Sequence, residues 1–261
     1  MLEYSYAGVS DVGCVRHNNE DALSWDEDSG LVIVADGMGG YNAGEVASNM
    51  AASFIQDEMI RWLEQAGRGV SVRHVARALQ ICVTNANLQI LQSAQRNPDY
   101  AGMGTTLVVG VFGHNHLTLG HIGDSRCYLL RDNTLHQLTH DHSLLQEQLD
   151  SGLITPADAL VSPQKNFVTR ALGTDDDVVL ETQAMDVEPG DVYLFCTDGL
   201  SDMLDEVTLA QVLRGIEDTD HKAKTLVHLA NARGGPDNVT ALVVQAGKNM
   251  ERSGFGKLLF R

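Results

Sequence analysis

Asp36 closes the run Leu31-Val32-Ile33-Val34-Ala35-Asp36, and Gly37-Met38-Gly39-Gly40 follows with too little side chain to block anything. An acidic residue at a strand end, beside glycines that let backbone carbonyls come close, is a place to hold a hard cation. The same junction recurs: Gly123-Asp124 and Asp198-Gly199 close two further apolar runs, with Asp202 soon after Asp198. Asp237 stands in Gly234-Gly235-Pro236-Asp237-Asn238, just ahead of another run. Each motif alone also reads as an ordinary turn. If the strands share one core, however, their ends can converge, and two carboxylates about 4 Å apart repel by roughly 4 kcal/mol at an effective dielectric near 20. Such a cluster must either take up protons or bind divalent metal. With aspartates and no histidine in it, Mg²⁺ or Mn²⁺ suits it better than zinc.

The elements that would carry these residues follow from periodicity. Residues 4–12 read as a first strand and 31–36 as a buried one, with the polar stretch Arg16-His17-Asn18-Asn19-Glu20-Asp21 as a solvated loop between them. Helices are expected over 44–65, facing the core through Val46, Met50, Phe54, Met59 and Leu63, and over 71–94, through Val75, Leu79, Cys82, Ala86, Ile90 and Leu91. Residues 105–112 and 117–122 form a hairpin, 127–130 another strand, and Asp132-Asn133 a turn. The pattern loosens over 140–173, around a short helix at 143–151, as segments that shape substrate access often do. A strand at 191–196, helices at 206–214 and 222–233 and a strand at 239–245 complete the series. Strands come in groups rather than alternating with helices, which favours an α+β layered build over a doubly wound sheet. No linker divides the chain, so one domain over 1–247 is expected, with a basic, mobile tail over 248–261.

Composition narrows the function. There are 35 acidic against 18 basic residues, a formal charge of -17, which argues against a nucleic-acid surface and mainly serves solubility. No apolar run reaches membrane-spanning length, and Met1-Leu2-Glu3-Tyr4 has neither the basic nor the apolar part of a secretion signal, so a cytoplasmic protein is expected. Cys14, Cys82, Cys127 and Cys196 lack Cys-x-x-Cys spacing and read as reduced, mostly buried thiols. His114, His116, His121, His136, His140 and His142 fall on different strands and turns and read as surface or turn residues rather than a zinc site. Ser125 lacks the Gly-x-Ser-x-Gly elbow of a serine hydrolase, and no lysine follows the glycines after Asp36 as a phosphate-binding loop requires.

In order along the chain stand Arg16-x-x-Asn19-Glu20-Asp21, Asp36-Gly37-Met38-Gly39-Gly40, Gly44-Glu45-x-Ala47-Ser48, Gly104-Thr105-Thr106, Gly123-Asp124-Ser125-Arg126, Thr169-Arg170-Ala171-Leu172-Gly173, Thr197-Asp198-Gly199-Leu200 and Gly235-x-Asp237-Asn238. The series resembles the metal-dependent serine/threonine protein phosphatases of type 2C, the PPM family, in their bacterial branch. The resemblance implies a four-layer α-β-β-α fold, a central antiparallel β-sandwich flanked by helices, with metals at one end of the sheets. It implies that Asp36 bridges two Mn²⁺ or Mg²⁺ ions, that the Gly37 carbonyl serves one of them, and that Asp198 and Asp237 serve the other. Asp124 and Asp202, with Asp198, match a third, weaker site. Glu20, Asp21 and Asn238 match supporting positions, the two acids holding metal-bound waters, and Arg16 matches the guanidinium that grips phosphate.

The chemistry so implied is hydrolysis of phosphoserine or phosphothreonine by in-line attack of a metal-bridging hydroxide, without a covalent enzyme intermediate. Thr105 and Thr106 read as strand residues that happen to lie near the site. The general acid stays unassigned: Met38 and Tyr41 stand where relatives carry histidine, methionine cannot donate a proton, and tyrosine with a pKa near 10 is poorly matched to neutral pH. The implied partners are phosphorylated proteins of a cognate serine/threonine kinase, acted on by a monomer. Two other readings compete: a phosphoprotein-binding module, which would bind without turnover and has no need of a complete metal set, and a phosphatase of small phosphomonoesters.

Overall fold

The computed structural model describes residues 2–40, 43–67, 69–159, 162 and 167–248. Within these it has β1 (Leu2–Asp11), β2 (Asp21–Asp26), β3 (Leu31–Met38), α1 (Ala43–Ala66), α2 (Val72–Arg96), β4 (Gly104–Thr105), β5 (Leu107–Phe112), β6 (His116–Ile122), β7 (Arg126–Arg131) and β8 (Thr134–Gln137). There follow α3 (Leu144–Asp150), α4 (Pro156–Ala159), β9 (Glu181–Asp186), β10 (Val192–Cys196), α5 (Asp198–Ser201), α6 (Glu206–Leu213), α7 (Thr219–Ala232) and β11 (Val239–Lys248). One sheet runs β1-β11-β10-β7-β8; the other runs β2-β3-β5-β6-β9, with β4 paired to β3. Every pairing is antiparallel.

The period of two along each strand builds the layers. In β3, Leu31, Ile33 and Ala35 face α1 and α2, while Val32 and Val34 face the other sheet. In β10, Tyr193 and Phe195 point into the sandwich, and Val192, Leu194 and Cys196 point to α6 and α7. β11 repeats this, with Leu242, Val244 and Ala246 inward and Val239, Ala241 and Val243 toward the helices. Strands covered on both faces are apolar at most positions, which is why they were readable as continuous runs. The result is the expected helix-sheet-sheet-helix stack.

Some expectations change in detail. The buried face of α1 is Ala47, Ala51, Ile55 and Met59, while Val46, Met50, Phe54 and Leu63 are only partly buried beside it. Alanines bring the helix backbone close to β3, so the smaller residues take the centre and the larger ones its flank. α7 starts at Thr219 rather than 222 because the Asp218 carboxylate accepts from the His221 amide and caps it. β2, β8 and β9 were not anticipated as strands: β8 and β9 are exposed along most of their length and carry too few apolar side chains to signal a strand. The segment expected as a tail lies outside the described residues from 249 onward; Lys248 ends β11.

Candidate metal and phosphate site

The acidic strand ends come together at one end of the two sheets. Asp36 lies in β3 directly opposite Asp21 of β2. Asp124 sits where the chain passes from β6 in one sheet to β7 in the other, Asp198 follows β10 as the first residue of α5, and Asp237 precedes β11, the neighbour of β10. Asp21 is therefore no part of a solvated loop; it is buried at the base of the cluster.

Each position is held by the chain around it. The Asp36 amide donates to Thr106 Oγ1 at 3.0 Å, and its carbonyl accepts from the Thr106 amide and Thr105 Oγ1, both at 2.9 Å. Thr105 and Thr106 thus build the site rather than merely adjoining it. One oxygen of Asp21 accepts from Thr240 Oγ1 at 2.6 Å and Thr197 Oγ1 at 3.0 Å, tying β2 to β11 and to the end of β10. Asn238 staples the loops: its Oδ1 accepts from the Glu20 amide at 2.8 Å, and its Nδ2 donates to the carbonyls of Val12 and Asn18. The Glu20 carbonyl accepts from Gly37 N–H and Ser48 Oγ, and its carboxylate lies against Gly44, at the start of α1. Gly37 and Gly44 are packed so closely that a Cβ on Gly37 would meet the Gly44 carbonyl oxygen at 2.1 Å. Neither position has room for a side chain.

Burial and mutual repulsion push the carboxyls to take up protons. Burial raises the Asp124 pKa to about 8, with Asp198 and Asp141 adding to it, and raises Asp21 to about 7, with Asp198 and Asp237 opposing its charge. Burial and the charges of Asp202 and Asp237 lift Asp198 to about 6. Asp36 is raised well above the usual carboxylate range by burial and by Asp21, Asp198, Asp124 and Asp237 together. Asp202 is exposed at the end of α5 and acts on Asp198 through its charge. At the rim, Arg16 is half exposed, and its Nη2 donates to Asp237 Oδ2 at 2.8 Å.

The group fits divalent cations. Its ligating atoms are all oxygens, its charges repel in the absence of cations, and the second oxygen of Asp21 is buried without a hydrogen-bond partner. Elsewhere among the described residues, potential ligand atoms of His121, His142 and Glu181 all lie within 4.8 Å of one another. The expectation that all six of His114, His116, His121, His136, His140 and His142 are surface or turn residues is corrected for His121 and His142, which are 2% and 6% exposed. Their burial depends on β6, β9 and the 140–144 segment meeting, which local spacing does not reveal. Tyr41 lies outside the described residues. All four cysteines are free thiols, with Cys14 exposed and the others buried. A separate cavity of about 570 Å³ lies at the other end of β7 and β10, where Asp191 and Glu188 are already paired with Arg131.

Comparison with known proteins bears on this geometry. The family described as Protein phosphatase 2C matches residues 15–225. The serine/threonine phosphatase stp of Listeria welshimeri is 38% identical over 248 residues, covering 94% of this chain and 96% of its own. The serine/threonine protein phosphatase PstP of Mycobacterium tuberculosis is 41% identical over 245 residues, 93% of this chain and 45% of its own length. The crystal structure of the PstP/Ppp phosphatase superposes with a TM-score of 0.86 at 38% identity, covering 95% of this chain and 100% of that one. A structure of the PstP catalytic domain in complex with two manganese ions gives 0.84 at 38% identity, with 95% and 100% covered. No helix among the described residues is long and apolar enough to cross a membrane. Matched over most of its length in sequence and in fold, this chain belongs to the protein phosphatase 2C family of serine/threonine protein phosphatases.

Proposed function

We propose that the acidic cluster is the catalytic centre, holding two Mn²⁺ or Mg²⁺ ions through Asp36, the Gly37 carbonyl, Asp198 and Asp237, with Asp124 and Asp202 joining Asp198 at a third, weaker position. The observation that carries this reading is the convergence of buried aspartates from separate strand ends, each raising the proton affinity of the others. The two manganese ions of the PstP structure support the metal and its number. Once bound, such ions supply a water of lowered pKa and offset charge on the phosphoryl group.

The chain's own residues do the rest. Arg16 keeps Nη2 on Asp237 and turns its remaining N–H groups to the phosphate, orienting phosphorus for in-line displacement. Glu20 and Asp21, each fixed through its backbone or side chain, orient water. Met38 supplies no proton to the leaving oxygen. The segment 140–173 acts as a flap that selects the peptide around the phosphorylated residue. The unit is the domain over 1–247, working as a cytoplasmic monomer on proteins phosphorylated by a cognate serine/threonine kinase.

The test is phosphate release from a phosphothreonine peptide with Mn²⁺, with chelator, and for Asp36→Asn and Asp198→Asn. Loss of at least about a hundredfold in chelator and in both variants is expected, given that ions of this kind set the charge balance of the reaction. Turnover undiminished in chelator, or in both variants, would overturn the assignment.

A further inference from the structure

We infer that His142 is a positioning residue, holding Gly123 and thereby Asp124 in place from the root of the flap segment. The inference rests on the reading of Asp124 as an ion ligand given above. Gly123 has a φ of +100°, and a Cβ there would lie 2.7 Å from Thr106 Cβ, so the backbone turns sharply against a wall before Asp124. Both polar groups of Gly123 go to one residue: its amide donates to His142 Nδ1 at 3.1 Å, and its carbonyl accepts from the His142 amide at 2.9 Å. The Thr106 side of the turn is tied to the centre, since Thr106 Oγ1 accepts from the Asp36 amide and is bonded to Ser125 Oγ at 2.7 Å. His142 is the clamp on the opposite side.

His142 also stands where the two arms of the 140–173 segment meet. The Thr169 amide donates to its carbonyl at 2.8 Å, Ser143 bridges to Val168, and the Leu144 amide donates to Phe167 O. The ring itself is fixed. Nδ1 accepts from Gly123, so the proton of the neutral ring is on Nε2, 3.2 Å from Glu181 Oε2 on β9. His121 stacks on it with ring centroids 4.8 Å apart and planes within 10°, and donates from its own Nε2 to the His140 carbonyl.

The same three side chains invite a metal reading, which this arrangement opposes. Lone pairs of imidazole lie in the ring plane, so parallel rings do not aim at one ion. To ligate through Nε2, His142 would need its proton on Nδ1, where it would face the Gly123 N–H. The geometry is that of a clamp, with Glu181 selecting the tautomer that accepts from Gly123.

The test compares wild type, His142→Leu, His142→Asn, Asp124→Asn and the His142→Leu/Asp124→Asn pair. Asparagine keeps an acceptor near the Nδ1 position; leucine does not. The readouts are the hydrogen-exchange rate of the Gly123 amide by NMR and calorimetric Mn²⁺ titration. In His142→Leu the Gly123 amide should exchange roughly five- to tenfold faster, as for loss of one buried hydrogen bond. Its Asp124-dependent ion should bind about 10–100-fold more weakly, as when a partner behind a ligand is removed, with the two tighter ions unaffected. Asparagine should restore most of both, and the double variant should bind ions no worse than Asp124→Asn alone. If leucine is not tolerated, Glu181→Leu, which frees the ring, should speed the same amide. Unchanged exchange in a folded His142→Leu protein, no rescue by asparagine, or Zn²⁺ binding lost on changing His142 or Glu181 would overturn the inference. Should wild type bind no Asp124-dependent ion, the ligand reading of Asp124 fails, and the amide exchange still decides whether His142 holds the turn.

Discussion

Asp36 carries the conflict on which the site depends: it is surrounded by Asp21, Asp124, Asp198 and Asp237, and burial alone would already raise its pKa. Each of these carboxyls with a raised pKa favours folding most below the unfolded value near 3.8 and loses that contribution as pH rises through its folded value. Those values are about 6 for Asp198, 7 for Asp21 and 8 for Asp124. The metal-free protein is therefore weakened across this range, and bound cations remove the cause. The gap in Tm between Mn²⁺-loaded and metal-free protein should widen from about pH 5 to about pH 8.5 in scanning calorimetry. A constant gap would refute the electrostatic account. By the same reasoning Asp36→Asn, expected to be inactive on the proposed reading, should melt about 2–4 °C higher than wild type when both are metal-free at about pH 8, the shift that ~1 kcal/mol produces in a domain of this size. A lower Tm would show that Asp36 is not under repulsion.

Glycines at the element junctions let the strand ends approach closely enough for their acids to gather in one cluster. A Cβ on Gly199 would sit 1.9 Å from the Asn238 carbonyl oxygen, and that contact is with backbone. Gly199→Ala should thus push the start of α5 away from the turn carrying Asp237. The expected cost is about 1–3 kcal/mol of stability, as in overpacked interiors, with Mn²⁺ affinity reduced alongside. Thermal melts and calorimetric titration read the two effects. Full metal affinity after the substitution would place the ions elsewhere. At this scale the strands buried on both faces were legible, because a run such as 31–35 has no alternative use. β9 was not legible: it is a mostly exposed edge whose pairing with β6 depends on neighbours remote in the chain. The α1 face was displaced for a related reason, since alanines pack centrally only when a sheet lies close above them.

Across the whole molecule the charge of -17 surrounds a centre that is itself acidic, with Arg16 at the rim. Phosphopeptides bearing lysine or arginine near the phosphorylated residue should be drawn to this field, and acidic ones repelled. For a basic peptide kcat/KM should fall several-fold between about 20 and 200 mM salt, while for an acidic peptide it stays level or rises, because screening shortens the Debye length to below about 10 Å. Equal salt slopes for the two peptides would mean that the net charge does not steer substrate.

By itself the sequence determined which side chains end the strands and where glycine must stand beside them, because strand period and turn chemistry are written within a few neighbouring positions; the phosphate-binding role of Arg16 was only implied by the family resemblance. Only the tertiary structure decided what those residues lean on. Asp21 receives Thr197 and Thr240, His142 receives Gly123, and Thr106 holds the Asp36 backbone. Such bonds join residues tens to hundreds of positions apart. They exist only once the register of two sheets is set, and no local pattern of residues encodes that register.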